Sequence, residues 1–334
     1  MTPSRLLITA WPHLTGGDTT PRIMWTVNAT LVPVIVTAVW YFGPSAALVV
    51  AAALAGCLVT ERVFGHAGSL RDGSAVITGL LLGLCLPAGL PLWMAFAGGA
   101  FAIGVGKLVF GGLGQNVFNP ALLGRAFLQA AFPVALTTWP SIETAWWRLR
   151  GDNFALPLMS ARPVDVVTAA TPLGLWKFER QGTELWRLMI GSTEGSLGET
   201  AGLVILAGGA YLAWRNYLNW RIPVSIFATV VAFSGGLHLL DPARFAAPLF
   251  MLFSGGLMLG AVYMATDMVT SPVTNGGSWV FGAGVGVLVV LIRVWGGLAE
   301  GVMYAILIMN ALVPFINRAT QPRVFGTARR RPAA

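Results

Sequence analysis

Apolar residues in this chain come in long blocks, broken at intervals by glycine, proline or short polar turns. A helix that crosses a bilayer needs about 20 mainly apolar residues, fewer where it is interrupted. On that measure the pattern predicts ten spans: 23–42, 45–61, 74–90, 92–110, 118–136, 200–214, 221–238, 246–266, 278–295 and 299–317. The third is short and broken at Pro87 and Pro91. Residues 111–120, Gly-Gly-Leu-Gly-Gln-Asn-Val-Phe-Asn-Pro, are too irregular for a helix and read as a re-entrant stretch. The expected class is an all-α polytopic membrane protein of about ten transmembrane helices, some of them broken.

One long polar stretch separates five spans from five. The organisation predicted is a membrane half over 1–136, a loop over 137–199, a second membrane half over 200–317 and a basic tail over 318–334. Two halves of odd span number enter the membrane in opposite senses, as an inverted repeat requires. A faint echo accompanies this: Asp72-Gly73-Ser74 opens the third span and Gly276-Gly277-Ser278 the ninth. Two five-helix inverted repeats are therefore expected.

Composition strengthens the membrane reading. Only 10% of residues are charged, against about 25% in a soluble domain, and the mean hydropathy is +0.73. The 41 glycines and 20 prolines suit close helix packing and broken helices, which bilayers tolerate better than soluble folds. Near the N-terminus Pro12, His13, Gly16, Gly17 and Asp18 interrupt any basic and apolar leader pattern, so a cleaved signal peptide is not expected.

The net charge of +8 suggests nucleic acid until the basic residues are placed. Ten spans put both termini on one side. With the termini in the cytoplasm, the short inner segments hold Arg5, Arg22, Arg62, Arg71, Lys107, Arg215, Arg221, Arg318, Arg323, Arg329, Arg330 and Arg331, and the short outer ones only Arg244 and Arg293. That bias sets orientation and puts the 137–199 loop on the periplasmic side. The basic residues do not interleave with aromatics, so nucleic-acid binding is set aside. Cys57 and Cys85 lie in apolar runs without C-x-x-C spacing and read as small buried hydrophobes. His13, His66 and His238 form no ligand pair, which leaves a haem or metal site unsupported. Most tryptophans, among them Trp25, Trp40, Trp220, Trp279 and Trp295, fall near span ends, where an interfacial belt is the default.

Three places carry candidate chemistry. The long loop contains Asp165-Val166-Val167-Thr168-Ala169-Ala170-Thr171-Pro172-Leu173, in which small neighbours leave Thr171 open to a modifying enzyme. Read locally, the same residues make a helix start with Asp165 or Thr168 as cap. Gln115, Asn116 and Asn119 sit in the glycine-rich break, where irregular backbone must be buried in protein or line a cavity. Their amides both donate and accept, matching the edge of a flavin pyrimidine ring; equally, they can satisfy the broken backbone. Asp267 lies among Thr266, Thr270 and Ser271 at the end of the eighth span. It either takes up a cation or proton, as ionisable groups near membrane depth often do, or caps the turn. Asp72 and Asp241 carry the same ambiguity, and Glu300 reads as a favourable charge at the start of the tenth span.

Several stretches together resemble one family across nearly the whole chain. They are Asp72-Gly73-Ser74-Ala75 with Thr78-Gly79-Leu80-Leu81, then Gly111 through Ala121, then Ile292-Arg293 through Met303 with Met309 through Pro314, and Gln321 through Gly326. With the D-x-x-T-A-A-T motif ending at Thr171, the chain is similar to a family of membrane proteins that includes the D subunit of Rnf electron-transport complexes and the B subunit of the sodium-translocating NADH:quinone reductase. Two departures stand out: the family's S-G-A-T is T-A-A-T here, and its T-D-P-V-T-S-P is Thr266-Asp267-Met268-Val269-Thr270-Ser271-Pro272. The short polar start before Trp11 resembles the Rnf member more.

The resemblance implies FMN joined to Thr171 through a phosphoester, made by a flavinyl transferase, and a second, non-covalent flavin, riboflavin, within the spans. It implies one component of a multi-subunit, ion-pumping oxidoreductase in the cell inner membrane, not active alone. That complex would relay electrons between ferredoxin and NAD(H), coupled to Na⁺ or H⁺ movement. No G-x-G-x-x-G follows a strand, so NAD binding belongs to another component. The quinone-reductase member is the alternative within the class; a channel or transporter without redox work is the alternative outside it.

Overall fold

The computed structural model describes residues 18–66, 68–142, 146–157 and 170–322. Helix α1 (Thr20–Phe42) and helix α2 (Pro44–Phe64) meet at Gly43. Gly43 has φ +70°, and a Cβ there would lie 2.3 Å from the Trp146 carbonyl oxygen, so this turn admits only glycine. Pro44 then starts α2, where its missing N–H costs nothing. Next come α3 (Ser74–Leu84), α4 (Leu92–Ile103, prolonged by a π turn over Gly104–Leu108), α5 (Pro120–Ala131) and α6 (Pro133–Thr137). Between α4 and α5 the glycine-rich stretch is irregular, as its sequence predicts.

The loop region carries α7 (Pro172–Gly174, continued by a π turn over Leu175–Glu179) and α8 (Leu185–Ile190). A 3-10 turn over Leu197–Ala201 leads into α9 (Gly202–Trp214). The second half continues with α10 (Arg221–Leu240), α11 (Pro248–Phe253), α12 (Leu257–Leu259, prolonged by a π turn over Gly260–Met264), α13 (Asn275–Trp295) and α14 (Val302–Thr320). Helices α1, α2, α10, α13 and α14 are long and apolar enough to cross a membrane, and shorter apolar helices stand at 74–84, 92–108 and 202–214. The protein is a multi-pass membrane protein.

Packing concentrates where glycines let backbones approach. Helix α2 lies against α3 and α4, and α10 against α13. A Cβ on Gly56 would fall 2.1 Å from the Phe96 carbonyl oxygen, and one on Gly282 would fall 2.6 Å from Ser225 Cβ. Lipid offers no hydrophobic drive between helices, so close van der Waals contact of this kind holds them together. Leu31, Leu82, Leu122, Phe281, Val285 and Ile306 belong to one core cluster that runs through both halves. Cys57 and Cys85 are buried free thiols, while Trp25, Trp40, Trp220, Trp279 and Trp295 are exposed.

Three predicted spans are broken differently from the apolar pattern. The third stops at Leu84, and buried Asn153 donates from the loop to the Ala88 and Leu90 carbonyls at 3.0 and 2.9 Å. Those carbonyls have no helical partner before Pro91, and away from water an unpaired group is costly. The fifth divides at Phe132–Pro133, since proline cannot donate into a continuing helix. The eighth is interrupted at Ser254-Gly255-Gly256, where Gly255 has φ +67° and a Cβ would lie 2.8 Å from Leu173 Cδ1. Side chains replace the lost backbone partners there. Arg293 donates to the Met251 and Ser254 carbonyls at 2.5 and 2.9 Å, and Glu300 accepts from the Gly256 amide. Glu300 thus does not serve the start of its own helix, which begins beyond it at Val302. It serves α12, because the break leaves the Gly256 amide without a helical partner.

Candidate cofactor and ion sites

Thr171 lies half-buried at the start of α7, and its Oγ accepts from the Gly174 amide at 3.2 Å. That contact uses a lone pair and leaves the O–H bond for chemistry. The segment is tied down at both ends. Leu173 packs under Gly255, and Lys177 Nζ donates to the Gly296 and Leu298 carbonyls at 2.5 and 2.8 Å. Asp165 and Thr168 lie outside the described residues.

Thr171 shares a cleft of about 660 Å³, counted to its open mouth, with Arg125, Gln129, Thr137, Glu199, Glu300 and Tyr304. The charges in it form a cluster. Arg125 pairs with Glu300 at 3.0 Å, and Glu199 Oε1 accepts from Ser196 Oγ at 2.8 Å. Burial, with the negative charge of Glu300 beside it, pushes the Glu199 carboxyl up to about 8. Arg125 and Glu199 are not singled out by local sequence; the available signal was a lone charge bordering an apolar run.

The second cleft, about 860 Å³ counted to its mouth, has an apolar wall that includes Ile23, Val27, Leu81 and Val262. Its polar lining includes Asn116, Thr78, Tyr263 and Asp267. Here the glycine-rich break separates its three amides. Gln115 is exposed and does not line the cleft. Asn119 caps α5 by accepting from Ala121 and Leu122 amides, and its NH₂ donates to the Met264 carbonyl at 3.1 Å. Asn116 donates to the Phe118 carbonyl at 3.2 Å and reaches Asp267 Oδ2 at 3.5 Å. Asp267 also accepts from Thr270 Oγ at 3.1 Å and from the Val269 amide, so it caps its turn and faces the cleft at once. Burial raises its carboxyl above the ordinary range. Asp72 and Asp241 are turn caps: Asp72 accepts from Ser74, and Asp241 from the Ala243 and Arg244 amides.

Lys107 also lines this second cleft, and it corrects the charge count. It is buried, pairs with Glu61 at 2.6 Å and donates to Ser74 Oγ at 2.7 Å. Neither it nor Arg293, buried against the broken eighth span, is a free surface charge. Taking one from each side turns twelve against two into eleven against one, and the bias stands. Helix α5 spans both clefts: its cap Asn119 lines one and Arg125 and Gln129 the other. At 1.5 Å per residue the two clefts are about 10–15 Å apart along that helix.

Ionisable groups paired inside a helical core, around two clefts, define a multi-pass membrane protein with charged sites built into its interior. The chain belongs to the NQR2, RnfD, RnfE family, whose model matches residues 7–326. It is 40% identical over 340 residues to the D subunit of the proton-translocating ferredoxin:NAD(+) oxidoreductase complex of Clostridium ljungdahlii, covering 96% of each chain. It is 42% identical over 280 residues to the D subunit of the ion-translocating oxidoreductase complex of Stutzerimonas stutzeri, covering 79% of this chain and 78% of that one. To the protein of the same name in Pseudomonas aeruginosa it is 38% identical over 329 residues, 94% of each.

Proposed function

We propose that this chain is the flavin-carrying membrane component of an Rnf-type ion-translocating oxidoreductase complex. It would relay electrons between ferredoxin and NAD(H), coupled to Na⁺ or H⁺ movement, and act only with its partner proteins. The observation that carries the reading is Thr171: it ends the D-x-x-T-A-A-T motif, and it lines a cleft with its hydroxyl available. A flavinyl transferase would join FMN to Thr171 Oγ. The decisive experiment is the intact mass of the chain made with and without the co-expressed transferase. An increment of one FMN supports the reading, and identical masses overturn it.

The second cleft suits the non-covalent riboflavin. A flat ring would lie on the wall around Leu81 and Val262, and Asn116 would meet its polar edge. Asn119, committed to its cap and to Met264, holds the backbone in place instead. When bound, a flavin supplies one- and two-electron chemistry, and the protein tunes it by hydrogen bonds.

Ten spans in two inverted five-helix halves fit the packing. The second and fourth helices pair closely in the first half, α2 with α4, and so do their equivalents α10 and α13. Val109-Phe110-Gly111-Gly112-Leu113 after the fourth span also matches Val294-Trp295-Gly296-Gly297-Leu298 after the ninth. The basic-residue bias supports cytoplasmic termini in the inner membrane, with Thr171 on the periplasmic side. A cysteine at Ser141 should then react with an impermeant thiol reagent in spheroplasts, and one at Ala328 only after lysis. The opposite labelling would reverse the topology.

Asp267 is proposed to act in ion coupling. Asp267→Asn keeps the volume and removes the charge, and Asp267 lines the cleft away from Thr171, so the covalent FMN content should match the wild type. Ion uptake by vesicles, normalised to electron flux, should fall. An unchanged ratio would leave Asp267 as a turn cap alone.

A further inference from the structure

The cleft beneath Thr171 contains more ionisable groups than flavin attachment needs. Arg125 comes from α5, Glu300 from the segment before α14, and Glu199 from the turn before α9; all three line the cleft with Thr171. Arg125 is already committed to Glu300 at 3.0 Å, and Glu300 also accepts from the Gly256 amide. Glu199 has a neutral partner, the Ser196 hydroxyl at 2.8 Å. Two carboxyls therefore share a largely buried cleft in which the guanidinium of Arg125 pairs with only one of them. Arg293 is the other charge acting on Glu300, and it donates through Nη1 and Nη2 to the Met251 and Ser254 carbonyls, not to either carboxyl. Among the described residues, Tyr304 from α14 and the buried thiol of Cys85 are the other titratable groups around the cluster. Two like charges in such a space do not both ionise readily, so one proton is retained between them.

We propose that Glu199 and Glu300 form a proton-exchange site that holds one proton, on Glu199, and exchanges it with water in the cleft according to the charge carried at Thr171. In release, the Glu199 O–H bond breaks, the proton passes to cleft water and a carboxylate stays beside Ser196. In uptake the same bond re-forms. A negative group attached to Thr171 raises the pair's affinity for the proton, and by linkage the proton favours a more negative group there. This last step rests on the proposed attachment of FMN to Thr171; the proton site itself does not. The burial that lifts Glu199 toward about 8 puts its exchange near neutral pH.

The test is an infrared difference titration of the purified full-length chain in lipid nanodiscs, made first without the transferase. A carboxylic-acid C=O stretch that persists at neutral pH and disappears on alkaline titration is expected. Glu199→Gln should abolish it. Ser196→Ala, which removes only the neighbouring hydroxyl, should keep it and shift its midpoint upward. No such band in correctly folded wild type, or a band unchanged in Glu199→Gln, would overturn the site. Loss of the band on adding Na⁺ at constant pH would also overturn it, in favour of a cation site. In transferase-treated chain the midpoint should move upward relative to the unmodified chain. An unmoved midpoint in chain whose mass includes FMN would overturn the link to Thr171. A chain without FMN fails the attachment reading alone, since the titration of unmodified protein stands by itself.

Discussion

Thr171→Ala is expected to remove covalently bound flavin completely. Flavinylation joins a phosphate to a hydroxyl oxygen, and alanine has none. In-gel flavin fluorescence of the denatured chain should fall from its wild-type level to background, and the intact mass should lack the FMN increment. Membrane insertion and yield should hardly change. The structural cost is one capping contact, the Gly174 amide to Thr171 Oγ, worth about 1 kcal/mol. Lys177 and Leu173, which dock the segment, are untouched. Thr171→Ser keeps the hydroxyl and should keep part of the label. Fluorescence at wild-type level in Thr171→Ala would sink the assignment and make Thr168 the next residue to test.

Lys107→Met is expected to be the most damaging single substitution to the fold itself. Lys107 and Glu61 are both buried and 2.6 Å apart. Removing the ammonium leaves a carboxylate in the helical core without its counter-charge, a loss on the order of 3–5 kcal/mol. Glu61 Oε2 already has no hydrogen-bond partner among the described residues, so the carboxylate relies on Lys107 for its counter-charge. Unfolding in denaturing detergent should begin at distinctly lower detergent fraction than in wild type. The double variant Lys107→Met with Glu61→Gln should recover most of the loss, since the buried charge is then gone. If the single variant unfolds like wild type, water reaches Glu61 and the pair is not desolvated.

Much of the helical layout is legible in the apolar blocks. Chain that leaves water for lipid must satisfy its backbone within each segment, so length and hydropathy locate helices such as α2, α10 and α13 without reference to any neighbour. The same local chemistry marks the irregular stretch at Gly111–Gly114, and Thr171 is marked by its motif. Asn116 and Asn119 are visible as amides in a break, but their division of labour is not: only the approach of Met264 and Asp267 from the eighth span assigns one to the backbone and the other to a cleft.

The chain alone thus determines that this is a multi-pass membrane protein, where its apolar helices fall and which threonine is the candidate for modification, because those depend on composition and local pattern. The tertiary structure decides which buried charges meet. Lys107 finds Glu61 across 46 positions and Arg125 finds Glu300 across 175. It also decides that Arg293 and Glu300 mend the broken eighth span instead of facing water. Such pairings depend on which helices pack together, and in lipid that is settled by close contact at residues like Gly56 and Gly282. Apolar periodicity is nearly silent about that contact, since every face of a buried span looks alike along the sequence.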